Sequence, residues 1–116
     1  MEQTVTQLCF PDKFQVELQR TTLSVPEGAV LVNNHYSLIS PGTELALYTG
    51  THVGFQDPDI RWVRYPIFPG YASVGIVKQA EGSTQAFQGK TLLHFSRHSS
   101  HSAVHPDKGL CFVVNE

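Results

Sequence analysis

Four of the six histidines lie between residues 94 and 105, at His94, His98, His101 and His105. Steps of 4, 3 and 4 would place all four imidazoles on one face of an α-helix, where they could hold a transition metal. The residues between them form helices poorly: Ser96, Ser99, Ser100, Ser102 and Val104. Read as strand, turn and strand, His94 pairs with His98 and His101 with His105 by parity, and the pairs need not converge. An imidazole also changes charge near neutral pH, which makes His98 and His101 candidates for acid–base or hydrogen-bonding work, against the plainer reading of a polar turn. A second group sits at Ser40-Pro41-Gly42-Thr43-Glu44. Ser40 is placed as a helix N-cap, Pro41 fits the first helical position, and Glu44 is a first-turn acid favoured by the helix dipole.

Cys9 and Cys111 sit in apolar surroundings (Leu8-Cys9-Phe10 and Leu110-Cys111-Phe112), and neither belongs to a CxxC pair. A zinc knuckle is excluded by ligand count. Two buried thiols acting as small hydrophobes are expected, with a bridge between the termini as the alternative.

The elements that must position these groups are short. Strands are expected at 3–9 and 14–18 around the turn Pro11-Asp12-Lys13, and at 29–38 after the turn Pro26-Glu27-Gly28. In the 29–38 strand Val30, Val32, Tyr36 and Leu38 share a parity, with Asn34 as the exception. Residues 40–48 form the best helix, two turns at most, with Gly50 as its stop. Residues 51–65 read as loop and 66–69 as extended. A long strand follows at 71–79, interrupted by Gly75 as at a bulge or close backbone approach. Turns at 81–83 and 88–90 precede strands at 91–95, 100–105 and 111–114. Many short strands, Gly/Pro turns and one small helix point to a barrel or sandwich.

The length of 116 residues suits one domain able to bury a core. Only 16% of residues are charged against 41% hydrophobic, which argues against disorder. The net charge is −2 without a Lys/Arg cluster, so a nucleic-acid partner is not expected. No leader-like segment or run of about 18–20 apolar residues is present, so a cytoplasmic protein without a membrane partner is expected.

Two segments resemble the medium-chain dehydrogenase/reductase superfamily. One runs from Leu31-Val32-Asn33-Asn34-His35-Tyr36 through Ser37-Leu38-Ile39 to Ser40-Pro41-Gly42-Thr43-Glu44, with Tyr48-Thr49-Gly50 after it. The other is Tyr65-Pro66-Ile67-Phe68-Pro69-Gly70-Tyr71-Ala72-Ser73-Val74-Gly75-Ile76-Val77, followed by Phe87-Gln88-Gly89-Lys90. The similarity extends from about Val5 to about Val114. It implies a mainly β, GroES-like, partly open β-barrel with one or two short helices, occupying residues 1–116. In that superfamily the barrel forms one wall of an active-site cleft, and a Rossmann domain that binds NAD(P)(H) forms the other. Hydride then passes between the nicotinamide and a carbonyl, alcohol or activated alkene. No Gly-x-Gly-x-x-Gly occurs in this chain, and the glycines at 42, 50, 54, 70 and 75 have the wrong spacing. The Rossmann domain and the barrel's last segment are thus expected to be missing, and this chain alone to bind no dinucleotide tightly and not to turn over.

The resemblance also implies a zinc-free site. Pro41 stands where zinc-dependent relatives have a cysteine ligand, and proline has no ligand atom. Gly70-Tyr71-Ala72 stands where they have Gly-His-Glu, and a neutral phenol is a poor zinc ligand. The four cysteines of their structural zinc lobe are absent. No metal site is therefore expected. Oxyanion charge and a proton must then be handled by side chains. Thr43 matches the hydroxyl that relays protons in zinc members and is the candidate cofactor-binding residue, and Tyr71 carries a phenol to the old ligand position; with His98 these are the candidate catalytic groups. Glu44 matches an acid that lies beside the metal in zinc members. Ser40, Tyr48 and His101 are candidate substrate-binding residues. Each has a plainer alternative: a backbone bond for Thr43, ring packing for Tyr71 and Tyr48, a cap for Ser40.

Three functions compete: the substrate-side domain of a zinc-independent NAD(P)-dependent oxidoreductase, a non-catalytic GroES-like binding or docking module, and a histidine-based metal binder. The partners expected are a small-molecule substrate and a Rossmann domain in cis or trans. An isolated barrel would expose the face that meets that domain, so homo-oligomers are expected.

Overall fold

A computed structural model describes residues 1–108 and 111–115; Leu110, part of the apolar run expected around Cys111, lies outside them. Among the described residues the strands are β1 (Glu2–Cys9), β2 (Glu17–Ser24), β3 (Val30–Leu38), β4 (Ala72–Gln79), β5 (Thr91–His94), β6 (His101–Val104) and β7 (Cys111–Val113). The helix α1 spans Pro41–Thr49, and two 3₁₀ turns cover Val53–Gln56 and Gly82–Phe87.

β1 and β2 form an antiparallel hairpin in which Glu2 faces Ser24 and Cys9 faces Glu17. The other strands form an antiparallel sheet in the order β6-β3-β4-β5-β7. The strand expected at 14–18 lies further on. Phe14 has φ of 59° and its N–H donates to Tyr48 O at 2.8 Å, so the chain turns there instead of extending.

The parity expected for β3 also needs correcting. The register steps from Asn34 opposite Gly75 to Tyr36 opposite Val74, leaving His35 as the extra residue of a bulge. One inserted residue reverses every side chain beyond it. Val30, Val32 and Asn34 therefore point inward, whereas Tyr36 and Leu38 point outward and are exposed. Gly75 is required at this crossing, because a Cβ there would run into the Asn33 carbonyl oxygen.

Two clusters form the core. Val30, Val32, Val77, Ala80 and Leu92 pack inside the five-stranded sheet. Phe10, Leu47, Val63 and Ile67 join α1 to the 60s loop and the end of β1. The hairpin is tied to the rest of the chain by isolated bridges, Gln7 with Ser99 and Phe10 with Ile67, and by Leu8 N–H donating to His98 O and Ser100 N–H to Thr6 O. The result is an open, mainly β pair of sheets, not a closed barrel. Cys9 is buried and Cys111 half-buried; both are free, so the alternative of a bridge is not realised. No helix among the described residues is long and apolar enough to cross a membrane.

Candidate functional site

The site begins at the N-terminus of α1. Ser40 occupies the N-cap, as expected, with Pro41 following it, but its side chain makes no capping bond. The local orphan donor is satisfied from the other side: Ser40 N–H donates to Glu44 Oε2 at 2.5 Å, a variant of the capping box. The Ser40 hydroxyl is thereby left for other work. At the far end Gly50 takes the left-handed conformation, φ 75°, and stops the helix.

The second carboxylate oxygen of Glu44 meets His98 Nε2, and His98 Nδ1 lies 2.6 Å from Ser37 Oγ. Fifty-four residues separate Glu44 from His98, so the contact depends on how the 95–100 segment is held. His98 N–H donates to Pro69 O at 2.8 Å, Ser96 N–H to Tyr71 O at 3.1 Å, and Leu8 N–H to His98 O at 3.0 Å. Gly70 permits this clamp. Its φ is 117°, and a Cβ on it would collide with the backbone of Arg97 and His98.

Two concavities flank Glu44. The first, about 660 Å³, is lined by Ser40, Thr43, Glu44, Trp62, Phe68, Tyr71 and Arg97. The second, about 820 Å³, is a more open apolar groove bounded by Leu8, Leu18, Ile39, Leu45, Tyr48 and His98. Of the residues singled out from sequence, Ser40, Thr43 and Tyr71 thus share one cavity. Thr43 is exposed there, and Tyr71 is 43% exposed.

His98 and Tyr48 lie in the neighbouring groove. Tyr48 packs edge-on against Phe10 and Phe14, and its hydroxyl donates to Phe14 O at 3.2 Å. His101 lies apart from both, with its Nδ1 2.8 Å from Ser100 Oγ. Burial, with Lys78 adding to it, holds the His101 pKa below the ordinary histidine value. His94 points into the core, where Asn34 Oδ1 lies 2.8 Å from its Nε2. His94, His98 and His101 therefore have three different surroundings, and His105 shares a small concavity with His94. Among the described residues no three His, Cys, Asp or Glu side chains gather in a metal-binding group.

Sequence reading missed Trp62, Phe68 and Arg97. Trp62 pairs edge-on with His52, and the Arg97 guanidinium lies 5.0 Å over the Phe68 ring. A single tryptophan in a loop carries no local signal for a cavity wall, and only tertiary structure brings residue 97 to residues 68–71.

This architecture is that of an open, mainly β domain of antiparallel sheets, consistent with the GroES-like fold that the sequence led us to expect. Among solved structures it resembles the crystal structure of human synaptic vesicle membrane protein VAT-1 homolog-like protein, with a TM-score of 0.65 at 16% identity. The match covers 100% of this chain and 36% of that one, so this chain spans about a third of the length of the protein it matches. The likeness is one of fold. No protein-family model and no curated protein sequence matches the chain.

Proposed function

We propose that the chain is the substrate-side domain of a zinc-independent, NAD(P)-dependent oxidoreductase. The observation that carries this reading is the single cavity that gathers the Ser40, Thr43 and Tyr71 hydroxyls beneath aromatic walls. Hydroxyl side chains lining a half-enclosed apolar site suit a carbonyl oxygen that gains negative charge as it is reduced. The donor set does not suit zinc: Pro41 offers no ligand atom, and Tyr71 offers a phenol. The cofactor would supply hydride from a separate Rossmann domain. This chain's part is to bind the carbonyl, exclude water and hold a proton at Thr43 Oγ1 or Tyr71 Oη. The resemblance also makes Thr43 the candidate cofactor-binding residue.

A second reading, a non-catalytic docking module, is favoured by the apolar outer face of the five-stranded sheet. The coding sequence beyond Glu116 separates the two. A strand followed by Gly-x-Gly-x-x-Gly supports the enzyme, and an immediate stop codon supports the module. In the extended protein, carbonyl-dependent NAD(P)H oxidation should survive chelation. Thr43→Val should lower kcat by roughly tenfold or more, with Tyr71→Phe acting in the same direction. Turnover unchanged by both substitutions would remove the roles assigned here.

A further inference from the structure

The same cavity holds one cation whose charge the fold leaves unused. Arg97 lines it beside Phe68, and among the described residues its side chain makes no hydrogen bond or ion pair. Arg64 of the 60s loop, by contrast, is occupied: its guanidinium donates to Gly54 O, Val63 O and Asp57 O. The cavity's own carboxylate is also engaged, because Glu44 is shared between His98 and the Ser40 N–H. Arg97 and Glu44 thus line one cavity without pairing.

The Arg97 guanidinium is nonetheless placed. Its backbone is clamped against Gly70, and its Cζ lies 5.0 Å from the centre of the Phe68 ring. A guanidinium held over a ring face loses less freedom when it grips an oxyanion at two points. Around it stand Trp62, Phe68 and Tyr71, while Ser40 and Thr43 carry the hydroxyls.

We infer that this cavity takes an aromatic acid: a planar ring held among Trp62, Phe68 and Tyr71, with its carboxylate or phosphate on Arg97. The inference deepens the reading of the cavity as the substrate's place and rests on it. Arg97 would set specificity by gripping the end of the molecule remote from the hydroxyls.

Trp62 is the chain's only tryptophan, so its emission reports on the cavity directly. Three probes of similar ring size should be titrated against this chain: 3-phenylpropanoate, benzyl phosphate and the neutral 3-phenylpropanol. At least one anion is expected to bind roughly five- to tenfold more tightly than the alcohol, as a charge-assisted hydrogen bond at a half-exposed site allows. Which anion it is separates a carboxylate from a phosphate. Arg97→Gln should abolish that preference while leaving alcohol binding in place, and Arg97→Lys should keep part of it. Unchanged Trp62 emission from unliganded Arg97→Gln would show the cavity wall intact. Equal affinity for acid and alcohol, or a preference that survives Arg97→Gln, overturns the inference and leaves the cavity reading standing. If no probe alters Trp62 emission, the inference and the cavity reading fall together.

Discussion

His94 shows how one side chain can serve structure and still carry a cost. It is 2% exposed, and its Nε2 meets the side-chain oxygen of Asn34. The Asn34 amide donates to Ser99 O and Ser102 Oγ, so its oxygen must accept, and the imidazole is the Nε2–H tautomer. Nδ1 then presents a buried lone pair with no hydrogen-bond partner among the described residues. Burial opposes charging this ring and lowers its pKa; the nearby Phe95 backbone pulls weakly the other way without a bond of ordinary geometry. Because the folded pKa lies below the unfolded value near 6.5, the unfolded chain takes up the proton first. The contribution to stability is complete above about pH 6.5 and falls as the pH drops toward the folded pKa, by at most about 1.4 kcal/mol per pH unit. His101 shifts in the same direction and adds to the slope. Urea denaturation at pH 7.5 and 5.5 should show lower stability at the acid pH. His94→Gln, which keeps a donor for Asn34 but cannot titrate, should flatten most of the difference. Identical acid sensitivity in the two proteins would remove His94 from the account.

Among the elements, the contact between the 69–71 segment and the 96–98 segment decides where the site is built. It fastens Tyr71 and Arg97 to one wall and carries His98 to Glu44. Gly70→Ala tests it. An alanine must adopt φ near 117° and push a methyl group into the Arg97–His98 backbone. The conformation alone should cost roughly 1–3 kcal/mol, seen in calorimetry as a fall in Tm of roughly 5–15 °C. Gly82→Ala has left-handed geometry but open space around it and should fall less; equal losses would show that the clamp adds nothing. Much of this element order was legible beforehand. Strand and helix positions followed from alternation, from Ser40-Pro41 at the start of α1 and from Gly50 at its end. Two features were not. The parity of β3 reversed because a bulge is set by cross-strand register, and His35 carries no local mark of it. The start of β2 was missed because the Phe14 turn depends on a bond to Tyr48, far along the chain. The histidine spacing fits a helix, but the serines between them already favoured strand and turn, as found. The candidate hydroxyls were legible through resemblance alone, and Arg97 escaped because its partners are tertiary.

At the scale of the whole molecule, the outer face of the five-stranded sheet sets the remaining expectation. Tyr36 faces Val74, Val74 faces Leu93 and Leu93 faces Phe112, so four strands contribute one apolar stripe on one side of the sheet. Tyr36 is 77% exposed and Phe112 53%, with Leu38 and Ile76 beside them. Water is a poor neighbour for a contiguous apolar patch of this kind. Repulsion opposes its burial weakly, because the net charge is only −2 over 116 residues. Such a face calls for a covering partner, and in isolation the chain has only another copy of itself. The isolated chain should therefore self-associate, with a weight-average mass in sedimentation equilibrium that rises with concentration. Tyr36 and Phe112 support no core packing, so Tyr36→Lys with Phe112→Lys should leave the fold intact and return the chain to monomer by introducing charge into the stripe. The same double substitution should leave Trp62 emission unchanged, since the cavity lies on other elements. A wild-type chain that stays monomeric at high concentration would mean that the stripe is too small or too curved to bury a second copy, and the argument for a covering partner would lose its physical basis.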